Sequence, residues 1–398
     1  MPLKRFQQLG VAIWSVVALS QAFAYDGDGP WDRTNVSGFG TVGAGRVISG
    51  GMPSWTNRLD GQNCPCLIVD WAHGAEYTGS WNANPETKMG VQIDTDFTST
   101  LSGTLQLVGR TAPMVKHKVG VEWLYGTYKL DPNWTIQVGR KRLPIDYYSD
   151  VQDIGNAYVW IRPSEEVYGW DIVNYNGANI TYHNAFDELS LNASIFTGAE
   201  HSRDYALGKI FTLNQFNQTS PFAPKNRIDA NWTNIIGAHA EVNYQWLTAR
   251  LVYTQFDDQK ISFVTGAPVP TTPPRKREIF GYAILADSGN WIFIHEYSYF
   301  KRDAINTSPP DNNYISISFS GGYRWHKLTS MYSVSSFRDE GPGSGNDRRN
   351  NSFSLRYDIT PHSDVKFQFE VERPELPNGV GAISGPAKEI AVSYDFTF

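Results

Sequence analysis

From about residue 36 to the end of the chain, runs of about 9 to 13 residues alternate apolar with polar side chains, and the gaps between runs are short and long in turn. A period of two puts successive residues on opposite faces of a strand. On this basis about sixteen strands are predicted, at 36–48, 87–98, 102–114, 118–130, 134–143, 177–186, 189–198, 234–246, 248–257, 276–286, 290–302, 313–325, 328–338, 351–360, 364–373 and 387–398. The long connections are 49–86, 144–176, 199–233, 258–275, 303–312, 339–350 and 374–386, with a brief one near Val115–His117.

The two faces differ in kind. In 351–360, Phe353, Leu355, Tyr357 and Ile359 share one parity, and Ser352, Ser354, Arg356 and Asp358 the other. The next strand sets Val365, Phe367, Phe369 and Val371 against Lys366, Gln368, Glu370 and Glu372. Around 236–246, Ile236, Ala238, Ala240, Val242 and Tyr244 oppose His239, Glu241, Asn243 and Gln245. A soluble β-sandwich also alternates, but this many strands would require several domains, and no linker separates any. Trp134, Trp246, Trp291 and Trp325 each lie beside a short turn, as an interfacial aromatic girdle requires. The pattern therefore predicts an all-β fold, a transmembrane antiparallel β-barrel with a wet interior. Phe353, Leu355, Phe367, Phe369, Ile390 and Val392 are expected to face lipid, and Arg356, Lys366, Gln368 and Asp395 the lumen, with arginine tolerated at Gln368.

The first residues break this rhythm. Lys4 and Arg5 precede an apolar run from Leu9 to Ser20 and an Ala22-Phe-Ala24 step, which reads as a secretory signal peptide over 1–24 and leaves 25–398 as one barrel domain. Losing Lys4 and Arg5 takes the formal net charge from -6 to about -8, which argues against nucleic acid as a partner. Cys64 and Cys66, the only cysteines, fall in the first long connection and are read as structural or incidental.

Catalytic chemistry finds little support. The eight histidines are scattered, and no G-x-S-x-G, H-E-x-x-H or P-loop is present in 25–398. His239 beside Glu241 is the nearest approach to an acid/base pair, and a polar pore wall explains it equally. No enzyme activity, cofactor or metal is expected.

The last strand, Ala387-Lys-Glu-Ile-Ala-Val-Ser-Tyr-Asp-Phe-Thr-Phe398, resembles the closing strand of bacterial outer-membrane barrels, which ends in an aromatic residue. The long connection after the fifth strand, together with the opening Ser37-Gly-Phe-Gly-Thr-Val-Gly-Ala-Gly-Arg46 and the Val138-Gly-Arg-Lys-Arg-Leu-Pro144 run, extends the likeness. In topology the chain resembles the general porins of Gram-negative bacteria. That resemblance implies a long third loop folded into the lumen and a water-filled channel for passive diffusion of small hydrophilic solutes and ions. It also implies a homotrimer in the outer membrane, in contact with the lipid bilayer and lipopolysaccharide.

Within that frame the third loop supplies the candidate constriction: Asp146, Asp150, Asp153, Arg162, Glu165 and Glu166. From Pro144 to Asp171 the acids, Asp171 included, outnumber the single base Arg162. The inward parity of the wall offers Arg110, Arg250, Arg324, Arg356 and Lys366, with Asp94, Asp96, Glu122, Glu241 and Glu370. Acids on the loop facing bases on the wall predict a transverse field and a mild preference for cations.

Overall fold

The computed structural model describes residues 33–50, 67–112, 118–205, 227–264, 267–268, 273–302, 313–340, 347–375 and 385–398. The expected signal segment 1–24, Cys64, Cys66 and the whole of the brief 115–117 connection lie outside them.

Sixteen long strands carry the alternation: β1 Thr34–Ser49, β2 Lys88–Asp96, β3 Leu101–Arg110, β4 Val119–Lys129, β5 Trp134–Arg142, β6 Asn174–Phe186, β7 Leu189–Ser202, β8 Arg227–Tyr244, β9 Leu247–Val264, β10 Arg275–Ser288, β11 Trp291–Arg302, β12 Asn313–Trp325, β13 Leu328–Glu340, β14 Asp347–Thr360, β15 Ser363–Glu375 and β16 Ala387–Thr397. Each pairs antiparallel with the next, and β1 closes the ring by pairing β2 from Thr34↔Thr95 to Thr41↔Lys88 and β16 from Phe39↔Thr397 onward. A closed ring leaves no unpaired edge, the condition for strands to cross a bilayer.

Burial confirms the parity and inverts the pattern of a soluble protein. On β15, Lys366, Gln368, Glu370 and Glu372 are at most 4% exposed, whereas Phe367 is 37% exposed and Val365 43%. On β16, Val392 and Tyr394 face out while Glu389, Ser393 and Asp395 are buried. The four girdle tryptophans are all exposed on the outer surface near the short turns. A sheet that hides its charges and shows its phenylalanines is solvated by lipid outside.

The short turns carry their own chemistry. Asp187, Gln245, His326 and Gly289 all have positive φ in tight connections, the conformation two-residue hairpins require. His326 is thereby accounted for as a turn residue. At the other rim the strands run further than the alternation predicts: β8 begins at Arg227 rather than 234, and β9 continues to Val264 rather than 257. Pairing there continues from Trp232↔Asp258 to Arg227↔Phe263. Period two still sorts Arg227, Asp229 and Asn231 from Ile228, Ala230 and Trp232, but a bulge between Thr233 and Ile236, with Asn234 at positive φ, breaks its phase, and the pairing sets Trp232 opposite Asp258 and Ala230 opposite Lys260.

The closing seam rests on glycine facing aromatic rings. A Cβ on Gly38 would overlap the ring of Phe398, and one on Gly40 would lie 2.5 Å from that of Phe396. The Phe398 backbone also donates to the Gly38 carbonyl (2.9 Å) and accepts from its N–H (2.8 Å). Deleting Phe398 removes both bonds and uncovers Gly38, a loss of about 1–3 kcal/mol at roughly 0.5–1.5 per bond. The heat-modifiable, folded fraction in membranes is expected to fall. Gly38→Leu should produce the same defect by displacing the ring, and normal folding of both variants would contradict this account of the seam.

A ring of this size is too wide for wall side chains to fill. Two loops enter it. In the first, Leu67–Asp70 and Ala75–Tyr77 form a small hairpin that packs with Val47, Ala391 and Ile161, and Gly45 makes room for the Tyr77 ring. The second is the loop between β5 and β6, called L3 below.

Candidate functional site

L3 leaves β5 after Arg142 and enters the barrel because its own backbone finds partners there. Arg250 of β9 donates to the carbonyls of Pro144 (3.3 Å) and Tyr147 (3.4 Å), and the Tyr147 N–H donates to Glu296 of β11 (3.0 Å). After two 3₁₀ turns, Ser149–Val151 and Gly155–Ala157, the loop reaches the wall farthest along the ring from β5. Lys366 of β15 donates to the carbonyls of Gly155 (2.5 Å) and Trp160 (2.8 Å), and Arg356 of β14 to those of Asn156 (2.7 Å) and Tyr158 (3.0 Å). The Ile161 N–H donates to Gln368 (2.7 Å) and the Trp160 indole to Ser333 of β13 (2.9 Å). Gly155 lies so close to Asp395 of β16 that a Cβ would overlap its carboxylate. A segment that begins beside β5 and bonds β9, β11 and β13 to β16 crosses the interior.

The predicted loop residues take different roles. Asp153 accepts from Arg110 of β3 (2.6 Å) and from Arg142, the pair also meeting Glu122 of β4. Arg162 donates to Glu86 (2.7 Å), Glu370 and Glu389, and stands 5.7 Å from the Tyr77 ring. Burial alone would lower the Arg162 pKa, but the three carboxylates outweigh it and hold it well above the usual guanidinium range. Asp146 is buried against Ser298 and Glu296, and burial followed by the Glu296 charge pushes its carboxyl well above the ordinary range. Glu165 and Glu166 open the short helix Glu165–Tyr168 and meet Glu372 of β15. Burial, then Glu372 and Glu166, likewise raise Glu165. Beyond them, Asp171 accepts from Lys260 (2.9 Å) and Tyr205 (2.7 Å), which outweigh its burial and lower its pKa. Asp150 alone among the six loop acids is exposed, beside a cavity of about 260 Å³ lined by Gln137, Lys141, Asn179, Thr181 and His239.

The wall residues all project inward, but most are spent on the loop rather than on water. Arg110, Arg250, Arg356, Lys366 and Glu370 bind L3, and Glu122 is buried with Arg110 and Arg142. Glu241 lies 3.8 Å from Arg250 on the neighbouring strand, and Asp94 is held by Gln92 and Thr104. Arg324 sits at the short-turn rim, paired with Asp287 at 2.6 Å and away from L3. Two expectations are thereby corrected. The arrangement of acids on the loop and bases on the wall holds at Asp153 but is reversed at Arg162, where the base is on the loop and two of its three acids are on the wall. Gln368 faces inward yet is 1% exposed and bonded to Ile161, so it is sealed beneath L3 rather than open to water.

Glu86, Arg142, Glu296 and Glu389 belong to this network and were not singled out from the sequence. Glu389 and Glu296 sit on the inward parity of their strands, which was a usable signal. Nothing local marks Glu86, whose partner is 76 positions away.

No protein-family model matches the chain, and no curated protein matches its sequence. Solved structures do share its fold. Salmonella typhi OmpF in complex with daunomycin aligns over 92% of this chain and 97% of its own at 13% identity and a TM-score of 0.55. The outer membrane channel DcaP of Acinetobacter baumannii aligns over 92% and 97%, at 11% identity and 0.56. In-vitro folded OmpT, an outer membrane protein of Vibrio cholerae, aligns over 95% and 100%, at 10% identity and 0.55. The fold is the sixteen-stranded barrel of outer-membrane porins and channels.

Proposed function

We propose that the chain is an outer-membrane porin that lets small hydrophilic solutes and ions diffuse passively through a water-filled passage. The observation that carries this reading is the inverted barrel crossed by a tightly bonded loop: lipid-facing outside, polar inside, and narrowed by L3. Because L3 seals against β13 to β16, the passage is assigned to the remaining side, along β5 to β8 past Asp150. A homotrimer in contact with lipopolysaccharide belongs to the same proposal, as does the absence of catalysis, with His239 and Glu241 read as polar lining.

The mild cation preference is proposed to rest on Asp150, opposed by Lys141, instead of on the full count of loop acids. Fixed carboxylates in a narrow, poorly screened passage concentrate cations. Under a salt gradient, Asp150→Asn should move the reversal potential toward anions and Lys141→Gln toward cations, both most clearly at low ionic strength. Asp146→Asn should move it little, since that carboxyl is buried away from the passage and pushed toward its neutral form by burial and the Glu296 charge. A thiol reagent should block current through Thr181→Cys, which lines the same cavity and is only partly buried, and spare Gln368→Cys. Block at Gln368→Cys alone would place the passage on the wrong side of L3.

A further inference from the structure

The long-loop mouth of the barrel holds a second recess, of about 300 Å³, at the lower end of the range for small-molecule sites. Its apolar surface is aromatic: Trp170 of L3 lies flat on Phe300 of β11, with ring centroids 5.2 Å apart and 13° between planes. Its polar surface is cationic. Lys260 and Arg277 are answered by carboxylates, the first by Asp171 at 2.9 Å and the second by Asp258. Arg302 and Arg348 close no ion pair among the described residues.

Arg348 is the sharper case. Its guanidinium lies 4.7 Å from the Trp71 ring and 4.8 Å from that of Phe337, it is 5% exposed, and its Nε and Nη1 have no hydrogen-bond partner among the described residues. Glu165 and Glu372 feel its charge without bonding it, and burial keeps Glu165 toward its neutral form. Arg302 is stacked similarly, 4.4 Å from the Tyr314 ring, and its Nε also has no partner among the described residues. A buried guanidinium with unspent donors is unfavourable unless an anion completes it.

We propose that this recess binds planar aromatic carboxylates, the ring lying against Trp170, which Phe300 backs, and the carboxylate taken by Arg302 and Arg348. A cation would be repelled there, a neutral ring would leave the guanidinium donors unmet, and a bare inorganic anion would not use the aromatic surface. The solute class deepens the porin reading and rests on it for onward passage, while binding itself can be measured without conduction.

The test is titration of the folded, detergent-purified protein with benzoate, benzamide and acetate, followed by tryptophan fluorescence and calorimetry. Benzoate should bind, with benzamide and acetate weaker by about tenfold or more, as expected when a charge-assisted bond or the stacked ring is lost. Arg302→Gln and Arg348→Gln should each weaken benzoate by about tenfold, and Arg348→Lys should recover part of the loss. Unheated gel mobility shows whether each variant is folded. Equal affinity for benzoate and benzamide, or unchanged benzoate binding in a folded Arg302→Gln/Arg348→Gln protein, overturns the proposal. Channels that conduct but bind no benzoate refute this inference alone, whereas benzoate binding to a protein that forms no channels supports it and refutes the porin reading.

Discussion

Arg162→Ala is expected to destabilise the folded barrel by about 3–5 kcal/mol, the range found when one partner of a buried ion pair is removed. The reason is specific to its surroundings. One guanidinium, 8% exposed, holds Glu86 of the first loop, Glu370 of β15 and Glu389 of β16, all within the barrel. Without it three carboxyl groups face one another in a confined space, and L3 loses one of the ties that fasten it to β15 and its ion pair to β16, while the bonds from Lys366 and Gln368 remain. The defect should shrink in acid. Burial already holds the Glu86 carboxyl above its ordinary value despite the pull of Arg162. A group whose folded pKa is raised favours the folded state below its unfolded pKa and loses that contribution as pH rises toward the folded value. Removing Arg162 raises it further, so the variant should approach wild-type stability as pH falls through the carboxylate range. Denaturant midpoints across pH measure this, with protease cleavage in L3 as a second readout. Adding Glu370→Gln and Glu389→Gln should restore most of the loss at neutral pH. An unchanged midpoint in Arg162→Ala would refute the anchoring role.

Phe367→Arg should cost about 2–4 kcal/mol in a bilayer, the penalty for a cation at mid-membrane on the lipid face. Phe367 lies between Leu355 of β14 and Val392 of β16 on the outer surface. The neighbouring change Gln368→Arg is also expected to be harmful, for a different reason. Gln368 accepts from the Ile161 N–H and donates to Glu370 at 2.6 Å, with no room above it. The two mechanisms separate when lipid is exchanged. Thickening the bilayer should deepen the Phe367→Arg defect and leave the Gln368→Arg defect unchanged. If both respond alike, the assignment of faces on β15 is wrong.

These two positions mark what could be read from the sequence. Lipid sorts side chains so strongly that strand number, parity and the outward phenylalanines follow from alternation alone. Interior packing leaves no such trace. Ile292, Ile294 and Met331 point inward and are apolar because Tyr158 and Trp160 of L3 cover them, so on β11 both parities are largely apolar and the period fades. Arg162 bonds residues 76, 208 and 227 positions away, separations that no local pattern encodes. The count of loop acids was legible but their ionisation was not. Burial beside other acids pushes Asp146 and Glu165 toward their neutral forms, and Asp153 is consumed by two arginines. What the loop offers to water is far less negative than its composition.

The central claim is that an open aqueous path remains beside L3 in the folded barrel. Planar bilayer recording of the purified, folded protein tests it most directly. The claim predicts discrete, long-lived conductance steps that scale with the bulk conductivity of the salt solution, as water-filled passages do. Folded protein that inserts but produces no steps, or steps indifferent to salt concentration, would contradict it.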